Sequence, residues 1–350
     1  MTQKIVPYKS VYQTLESRIR SGELSGKLPS QAQLISEFKV SHNTIKKVLD
    51  QLKLAGLVTG HQGKGVYVSQ PPTAKHAGTA GIYLSYLQHM GIPFYMRALA
   101  TLKTELEQHN WDLDYLGNID GFDPHRHQAL VVLESLPGRF DVQKVISQHQ
   151  TRIIQLNNQF DPLLPATFSN NIQCGYLAMQ QLYRAGHRNI GIITRETYHA
   201  DSIFAYRLQG AKKFAAEHKS VRFVQLELDL RPFPDSPGAA AETATDKLLK
   251  AMPDVTAVFA FTDVISLGVI SALQKRNLKV PEDISLISVD DLDFAQLTNP
   301  PLTTFREDAE AIGRAAAQFI LQTPAPGPEN MQLDFAPQLI ERNSIKYINS

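Results

Sequence analysis

Apolar residues in the first part of the chain recur at the spacing of short helices and then of a hairpin. Residues 7–21 place apolar side chains at about every fourth position, which predicts an amphipathic helix. A second helix is predicted after Ser41. Its apolar face consists of Ile45, Val48, Leu49 and Leu52. Apolar positions between residues 57 and 68 alternate around a glycine-rich tip. The pattern indicates a winged helix-turn-helix domain.

From residue 79 onward, buried strands alternate with amphipathic helices. Strands are predicted at 79–84, 111–116, 129–133, 152–156, 190–194, 222–226, 256–261 and 284–289. Helices are predicted at about 93–109, 140–149, 171–186, 203–218, 238–251, 263–277 and 307–322. Parallel sheets covered on both faces produce this alternation. So many strands favour two doubly wound lobes, with a ligand cleft at the carboxyl ends of their strands.

The two patterns are separated by SQPPTAKHAG, whose paired prolines and small polar residues are typical of a linker. We therefore predict a DNA-binding domain over residues 1–70, a linker over 71–78 and an effector-binding domain over 79–345. The expected fold class is α/β.

Basic residues concentrate in the N-terminal domain. It holds ten Lys and Arg against four Asp and Glu, whereas residues 71–350 hold 25 against 30. The net charges are +6 and −5, which together give the +1 of the whole chain. A basic domain on a mildly acidic body favours a nucleic-acid partner for that domain alone.

The predicted second helix and hairpin tip carry side chains suited to DNA. His42 and Asn43 are suited to base edges, and Lys46, Lys47 and Lys64 to phosphates or guanine. An ordinary solvated helix followed by a tight hairpin would show the same pattern in isolation. The local charge favours the DNA-binding interpretation.

The motifs SGELSGKLPS, VSHNTIKKVLDQL and QGKGVYV resemble, at the same spacing, the winged-helix domain of GntR-type transcriptional regulators. The resemblance implies DNA contacts from the second helix and the wing. The implied residues are Ser41, His42, Asn43, Thr44, Lys46, Gly63 and Lys64. The chain departs from the family at Gln31, Ala32 and His42, so the preferred operator sequence is expected to differ.

Candidate effector-binding residues follow the predicted strands of the C-terminal domain. They are Phe94, Tyr95, Arg207, Asp263 and Asp290. Aromatic faces beside Arg and Asp side chains suit a sugar, because its C–H face stacks and its hydroxyls pair with charged groups. Structural alternatives are a helix cap for Asp263, a core position for Phe94 and a turn for Asp290. A cation near a helix start, as at Arg207, has no comparable structural explanation.

The same region resembles the effector-binding domain of LacI/GalR repressors, through RAGHRNIGII, FTDVISLGVISAL and VPEDISLISVDDLDFAQLTNPPLTTFRED. The resemblance implies that Arg207 and Asp290 hold effector hydroxyls, that Phe94 or Tyr95 stacks, and that Asp263 lines the cleft.

The family fold also implies how the chain divides between lobes. The expected first lobe is 79–167 plus 292–322, and the expected second lobe is 168–291 plus 323–345. A GntR-like domain joined to a LacI-like domain resembles the arabinose-repressor type of bacterial regulator.

Composition and motifs limit the compartment, the cofactors and the kinds of site that we expect for this protein. With 43% hydrophobic and 20% charged residues, no visible signal peptide and no long apolar run, we expect a cytoplasmic protein without a membrane partner. The single cysteine, Cys174, is expected to be a buried structural thiol. We find no GxSxG, Walker or GxGxxG motif, and we expect no cofactor. His125 and His127 are a weak metal signal and are expected to be solvated.

The resulting hypothesis is a transcriptional repressor that binds a near-palindromic operator as a homodimer and responds to a small sugar. The alternatives are a sugar- or nucleotide-processing enzyme and a sugar-binding protein without DNA activity.

Overall fold

The structure of the 350-residue chain is a computed structural model. It describes residues 8–20, 23–54, 57–61, 65–68, 77–84, 93–133, 140–195, 202–232, 236–322 and 331–348. The chain divides into two compact units, the N-terminal domain Met1–Ala77 and the C-terminal domain Gly78–Ser350.

The described part of the N-terminal domain contains three helices and a two-stranded antiparallel hairpin. They are α1 Tyr8–Arg20, α2 Gln31–Phe38, α3 His42–Leu54, β1 Val58–His61 and β2 Gly65–Val68. The apolar faces predicted for α1 and α3 pack together in one core, in which Val11, Leu15, Ile45, Val48 and Leu52 are fully buried. This packing stabilises helices that are too short to persist alone.

The loop before α2 attaches the hairpin to the helices. The Leu28 amide donates to the Val66 carbonyl at 2.9 Å, and the Val68 amide donates to the Gly26 carbonyl at 2.8 Å. Ser30 then begins α2 with a reciprocal capping box, in which its side chain and that of Gln33 each accept the other's amide. The loop thereby fixes the hairpin against the three-helix core.

The described part of the C-terminal domain alternates strands and helices. The strands are β3 Gly78–Tyr83, β4 Trp111–Leu116, β5 Ala129–Val132, β6 Arg152–Leu156, β7 Ala166–Ser169, β8 Asn189–Thr194, β9 Arg222–Glu227, β10 Ala257–Ala260, β11 Ser285–Val289, β12 Thr303–Arg306, β13 Gln332–Phe335 and β14 Gln338–Ile340. The helices are α4 Pro93–Gln108, α5 Val142–His149, α6 Asn171–Arg184, α7 Ile203–Glu217, α8 Pro237–Ala251, α9 Asp263–Gln274 and α10 Ala309–Leu321.

These strands form two six-stranded sheets, one in each lobe. The first has the order β13-β7-β6-β5-β3-β4 and is parallel throughout, and the second has the order β14-β12-β11-β10-β8-β9 with only β14 antiparallel. All eight predicted strands are present. The strands β7, β12, β13 and β14 were not predicted, because these segments of three or four residues mix polar with apolar positions, unlike the equally short but wholly apolar β5 and β10.

The chain passes between the two lobes at points that differ from the predicted ones. Strand β12 pairs with β11 in the second sheet, although residues 292–322 were assigned to the first lobe. Strand β13 pairs with β7 in the first sheet, although residues 323–345 were assigned to the second. The chain therefore crosses after β7, after β12 and after β13. The pairing of a short edge strand depends on the sheet edge that it meets in space.

Among the described residues, three helix pairs pack on these sheets, α4 with α10 in the first lobe and α6 with α7 and α8 with α9 in the second. The backbones of α6 and α7 approach closely, because Gly175 and Gly210 leave no side chain between them. No helix among the described residues combines the length and apolar character needed to cross a membrane.

Candidate functional site

The candidate DNA-binding face is the outer face of α3. Ser41, His42, Asn43, Lys46 and Lys47 are exposed, while the opposite face is buried in the domain core. The Ser41 side chain caps the helix by accepting the Thr44 amide at 3.2 Å, and Thr44 is half-buried. The wing positions Gly63 and Lys64 lie outside the described residues.

One further cation beside the wing was not predicted from the sequence. Lys27 belongs to the strand-like loop that pairs with β2, and its aliphatic chain lies against Gly65. Its exposed ammonium group therefore belongs to the hairpin surface. The sequence showed only that a basic residue precedes the Leu-Pro-Ser motif. The pairing of this loop with β2 is what places Lys27 beside the wing.

The candidate effector site is a cleft between the two lobes, with a volume of about 230 Å³. Side chains from both lobes and from the crossing segments line it. They include Pro93, Phe94, Tyr95, Arg97 and Asn157 from the first lobe, and Arg195, Phe204, Arg207, Thr262 and Asp290 from the second, with Glu307 at a crossing. The cleft lies at the carboxyl ends of the strands, where doubly wound sheets bind ligands.

Arg207 is the central charged group of the cleft floor and is fully buried. Its guanidinium donates to Asn171 Oδ1 and to the Phe261 carbonyl, each at 2.6 Å, and its Nη2 lies 3.0 Å from Glu307 Oε2. Three partners from separate parts of the chain thus fix one side chain, which explains how a cation is kept in the interior.

The Arg207–Glu307 pair retains unused hydrogen-bonding capacity. Glu307 Oε1 is buried without a hydrogen-bond partner among the described residues, and the buried Arg207 Nη2, which contacts Glu307 Oε2, has a further N–H that no described acceptor meets. A buried polar atom without a partner costs free energy, so a ligand that supplies the missing donor and acceptor is favoured at this position.

Asp290 and Asp291 follow β11 and have opposite surroundings, each with a positive φ. Burial raises the pKa of Asp290 well above its usual range, although Arg207 opposes the effect. Burial would also raise the pKa of Asp291, but hydrogen bonds from Arg342 and Arg306 lower it below the usual range. Asp290 therefore lines the cleft, whereas Asp291 anchors two arginines.

We expect Asp290→Asn to remove a pH dependence of stability. Because the folded-state pKa of Asp290 is raised above its ordinary value of 3.8, the native state holds this proton more tightly than the unfolded chain. Its contribution to stability is complete below that ordinary value and decreases as pH rises towards the raised pKa. Urea unfolding of both proteins at several pH values measures this difference.

Asp291→Asn is the matched control for that experiment, with the opposite sign. Because the folded-state pKa of Asp291 is lowered, this carboxylate contributes stability at pH values above its unfolded-state pKa. The contribution is lost as pH falls through the folded-state pKa. Equal pH slopes for Asp290→Asn and the natural chain would contradict the assignment.

Asp263 does not line the cleft, in contrast to the prediction. It is fully buried, and its carboxylate accepts hydrogen bonds from Ser288, from Thr304 at 2.8 Å and from the Leu292 amide at 2.7 Å. Neighbouring Thr262, not Asp263, is the N-cap of α9 and faces the cleft. Three partners from β11, β12 and their connection satisfy the carboxylate, so its role is structural.

Phe94 and Tyr95 form the aromatic wall of the first lobe. Their ring centroids are 5.4 Å apart in an edge-to-face arrangement, and both side chains are buried apart from a small exposed fraction. Burial raises the pKa of the Tyr95 hydroxyl, which therefore stays a neutral donor. Both predicted aromatic residues reach the cleft, and Phe94 also belongs to the core.

Several cleft residues were not identified from the sequence. They are Arg97, Asn157, Arg195, Phe204 and Glu307. Arg195 and Asn157 directly follow β8 and β6, so the rule that placed the other candidates at strand ends applied to them as well. Glu307 follows β12, which was itself not predicted, and therefore carried no such signal.

His125 and His127 differ in their exposure to solvent. His127 is buried rather than solvated, since its Nε2 lies 3.0 Å from Asp114 Oδ2 and its Nδ1 accepts the Asp123 amide at 3.0 Å. Two fixed partners give it a structural role. Throughout the described residues, no group of three or more His, Cys, Asp or Glu is placed to hold a metal ion.

Comparison with known families accounts for both domains. Residues 7–68 match the family of bacterial regulatory proteins named gntR, and residues 179–345 match the periplasmic binding protein-like domain. One chain thus carries a segment similar to the gntR family, followed by a segment similar to the periplasmic binding protein-like domain. This architecture confirms the predicted fold class of a small winged helix-turn-helix domain followed by two lobes with parallel sheets.

The curated proteins to which the chain is similar include several transcriptional repressors. The repressor PurR of Vibrio atlanticus is 28% identical over 217 residues, covering 62% of the chain and 61% of the relative. PurR of Haemophilus influenzae strain PittEE is 34% identical and covers 50% and 51%. The chain thus spans about half to three fifths of these relatives. The arabinose metabolism transcriptional repressor of Geobacillus stearothermophilus is 24% identical over 99% of the chain and 100% of the relative.

Solved structures support the fold of the C-terminal domain. A LacI family transcriptional regulator from Enterococcus faecium with bound ribose has a TM-score of 0.64 at 19% identity, covering 77% of this chain and 100% of that one. A regulator from Enterococcus faecalis, also with bound ribose, has a TM-score of 0.62 at 22% identity, with the same coverage. The repressor names of the curated relatives agree with the prediction of a regulator rather than an enzyme.

Proposed function

We propose that this protein is a bacterial transcriptional repressor that binds operator DNA and is released or retuned by a small sugar-like effector. The observation that carries the proposal is the presence, in one chain, of an exposed basic face on α3 and of a cleft between two lobes that charged and aromatic side chains line. The arabinose metabolism repressor, which is similar over nearly the whole chain, supports the same combination.

The proposed DNA interface is the outer face of α3 together with the wing. The helix presents His42 and Asn43 for base edges in the major groove, and Lys46 and Lys47 for phosphates. Gly63 and Lys64 of the wing complete the proposed interface. A small domain with few cations binds one half-site weakly, so we propose a homodimer that reads a near-palindrome.

The proposed effector site uses the cleft floor and its aromatic walls. Arg207, Asp290 and Glu307 offer donors and acceptors to ring hydroxyls, and Phe94 or Tyr95 offers an apolar face to the ring. A volume of about 230 Å³ lies below the roughly 300–1,000 Å³ usual for ligand sites, which favours a ligand no larger than a single sugar ring. Asp263 contributes indirectly, by fixing the β11 and β12 ends that carry Asp290 and Glu307.

The proposed switch couples the cleft to the DNA. A ligand that contacts both lobes favours one arrangement of the lobes, and in a dimer this changes which DNA geometry the recognition helices match. Couplings of this kind are about 1–3 kcal/mol, which corresponds to roughly 5- to 150-fold in affinity. We place the protein in the cytoplasm, where its DNA would be.

The test is fluorescence anisotropy of the full chain on duplex DNA from upstream of its own gene. Measurements at about 0.15 M salt, with and without a panel of pentoses, hexoses and disaccharides, report specific binding and its response. Specific binding that one sugar weakens or strengthens supports the proposal. Undiminished DNA binding by a chain lacking residues 1–70 would overturn the assignment of the DNA-binding domain.

We expect Lys46→Ala to weaken operator binding about tenfold, because it removes one phosphate contact or one guanine contact. If the contact is to phosphate, the slope of log affinity against log salt also falls by about one. Lys103→Ala is the matched control, since Lys103 is an exposed lysine on α4 of the C-terminal domain. Equal losses in both variants would mean that the effect is one of net charge and not of a contact.

The enzyme alternative has a specific test in the same samples. If a sugar that stabilises the protein is also converted, product accumulates with protein concentration and time. We expect unchanged sugar after prolonged incubation, measured by chromatography.

A further inference from the structure

The side chains that line the cleft include more cationic than anionic groups. Three arginines, Arg97, Arg195 and Arg207, face two carboxylates, Asp290 and Glu307. Arg207 and Glu307 form a buried ion pair and neutralise each other. Burial also raises the pKa of Asp290, so this group carries its negative charge less readily. Arg97 and Arg195 therefore leave the cleft with an excess of positive charge.

Arg195 is the less neutralised of these two arginines. It directly follows β8, at the carboxyl end of a central strand, and is half-buried. Its guanidinium lies 5.7 Å from the Phe204 ring centroid, and it forms no ion pair within the described part of the chain. A sugar with only hydroxyl groups does not need a second cation here, because Arg207 already supplies donors at the floor.

Arg97 is the corresponding cation of the first lobe, on the first turns of α4. Its Nε is buried without a hydrogen-bond partner among the described residues, and lies 3.9 Å from the half-exposed Glu310 carboxylate. At this distance the contact is a weak ion pair without a hydrogen bond. The Nε–H of Arg97 therefore has hydrogen-bonding capacity that the described residues leave unused.

We propose that the effector is a monosaccharide that carries one anionic group, a phosphate monoester or a carboxylate, held by Arg97 and Arg195. The ring then lies over the floor formed by Arg207, Asp290 and Glu307. This inference rests on the proposed function, since it specifies the ligand of the same cleft. Because the two arginines belong to opposite lobes, an anion between them would connect the lobes, which supplies the coupling that a switch requires.

The test measures binding to the full chain by isothermal titration calorimetry. The ligands are neutral sugars and their anionic counterparts in pairs: glucose with glucose 6-phosphate and glucuronate, and ribose with ribose 5-phosphate. Inorganic phosphate alone is added as a probe of the anion. We expect at least one anionic sugar to bind at least tenfold more tightly than its neutral counterpart, and phosphate alone to bind more weakly than that sugar.

Variants assign the effect to the two arginines. We expect Arg97→Gln and Arg195→Gln each to weaken binding of the anionic sugar roughly ten- to a hundredfold, while leaving the thermal midpoint nearly unchanged. Arg222→Gln is the matched control, an exposed arginine on β9 that pairs with Asp254 outside the cleft. It should leave binding unchanged.

The outcomes separate this inference from the proposed function. A neutral sugar that binds as tightly as its anionic counterpart and alters DNA affinity would overturn the inference and support the repressor. Full affinity in both cleft variants, or phosphate alone binding as tightly as the anionic sugars, would also overturn it. DNA binding that no sugar of either class alters would overturn the sugar-responsive part of the proposed function and the inference with it.

Discussion

Replacing Arg207 by Met is expected to destabilise the protein by about 3–5 kcal/mol and to abolish the response to effector. The guanidinium is fully buried and pairs with the equally enclosed Glu307 carboxylate. Removing one partner leaves an uncompensated buried charge, which costs much more than the pair contributes. The free energy of unfolding, from urea denaturation followed by circular dichroism, measures the loss.

A second change distinguishes stability from recognition at this site. In Arg207→Met with Glu307→Leu, both charges are absent, so most of the lost stability should return. The effector response should not return, because the donors and acceptors for ring hydroxyls are gone. A double variant that still responds to effector would contradict the proposed role of the pair.

Arg231→Ala is the matched control for the single variant. Arg231 also pairs with a carboxylate, Asp229 at 2.9 Å, but its side chain is 90% exposed. Exposed pairs contribute little because water screens them, so the loss should be much smaller than for Arg207→Met. Similar losses for Arg207→Met and Arg231→Ala would mean that burial does not control the cost.

The second large effect is expected at Gly175, where α6 crosses α7. A Cβ atom at this position would lie 1.8 Å from the carbonyl oxygen of Arg207, which is backbone and cannot rotate away. Gly175→Ala must therefore separate the helices, at a cost of about 1–3 kcal/mol or more. Separation also moves Arg207 away from Asn171, so effector affinity should fall together with stability. Thermal unfolding and calorimetry measure the two changes.

Gly117→Ala is the matched control, because a Cβ atom there meets no heavy atom within 4 Å. It should change neither stability nor affinity by more than a few tenths of a kcal/mol. If Gly175→Ala behaves in the same way, the close approach of α6 and α7 does not position Arg207.

Local patterns were sufficient for most of the secondary structure. The eight predicted strands and the main helices follow from apolar patterns, which each segment carries within its own residues. The exposed face of α3 follows from the same reasoning, because burial of one face of a short helix determines the other. Cys174 is buried, as its position on the apolar face predicted, and burial raises the pKa of its thiol to about 12.

Arg207 is the clearest case in which sequence alone indicated a site. A cation near the beginning of a helix opposes the helix dipole, and this local conflict indicated a non-local partner. The sequence did not identify that partner, Glu307, which lies far away along the chain after a strand of only four residues.

Asp263 shows the opposite case. Its residue type and its position after a strand fitted a ligand site, but its contacts in the structure are those of a structural residue. A carboxylate at a strand end is available to a ligand only if the protein leaves it without partners. Ser288, Thr304 and Leu292 satisfy it, and they come from elements that the sequence does not place beside α9.

The sequence by itself determined the two-domain order, the fold class and the recognition helix, because these depend on periodicity, charge and turn residues within short segments. The tertiary structure alone decided which lobe contains β12 and β13, that Asp290 and not Asp263 lines the cleft, and that Arg97, Arg195 and Glu307 join it. The physical reason is that pairing, burial and charge balance are properties of residues brought together from distant parts of the chain, and no local pattern records them.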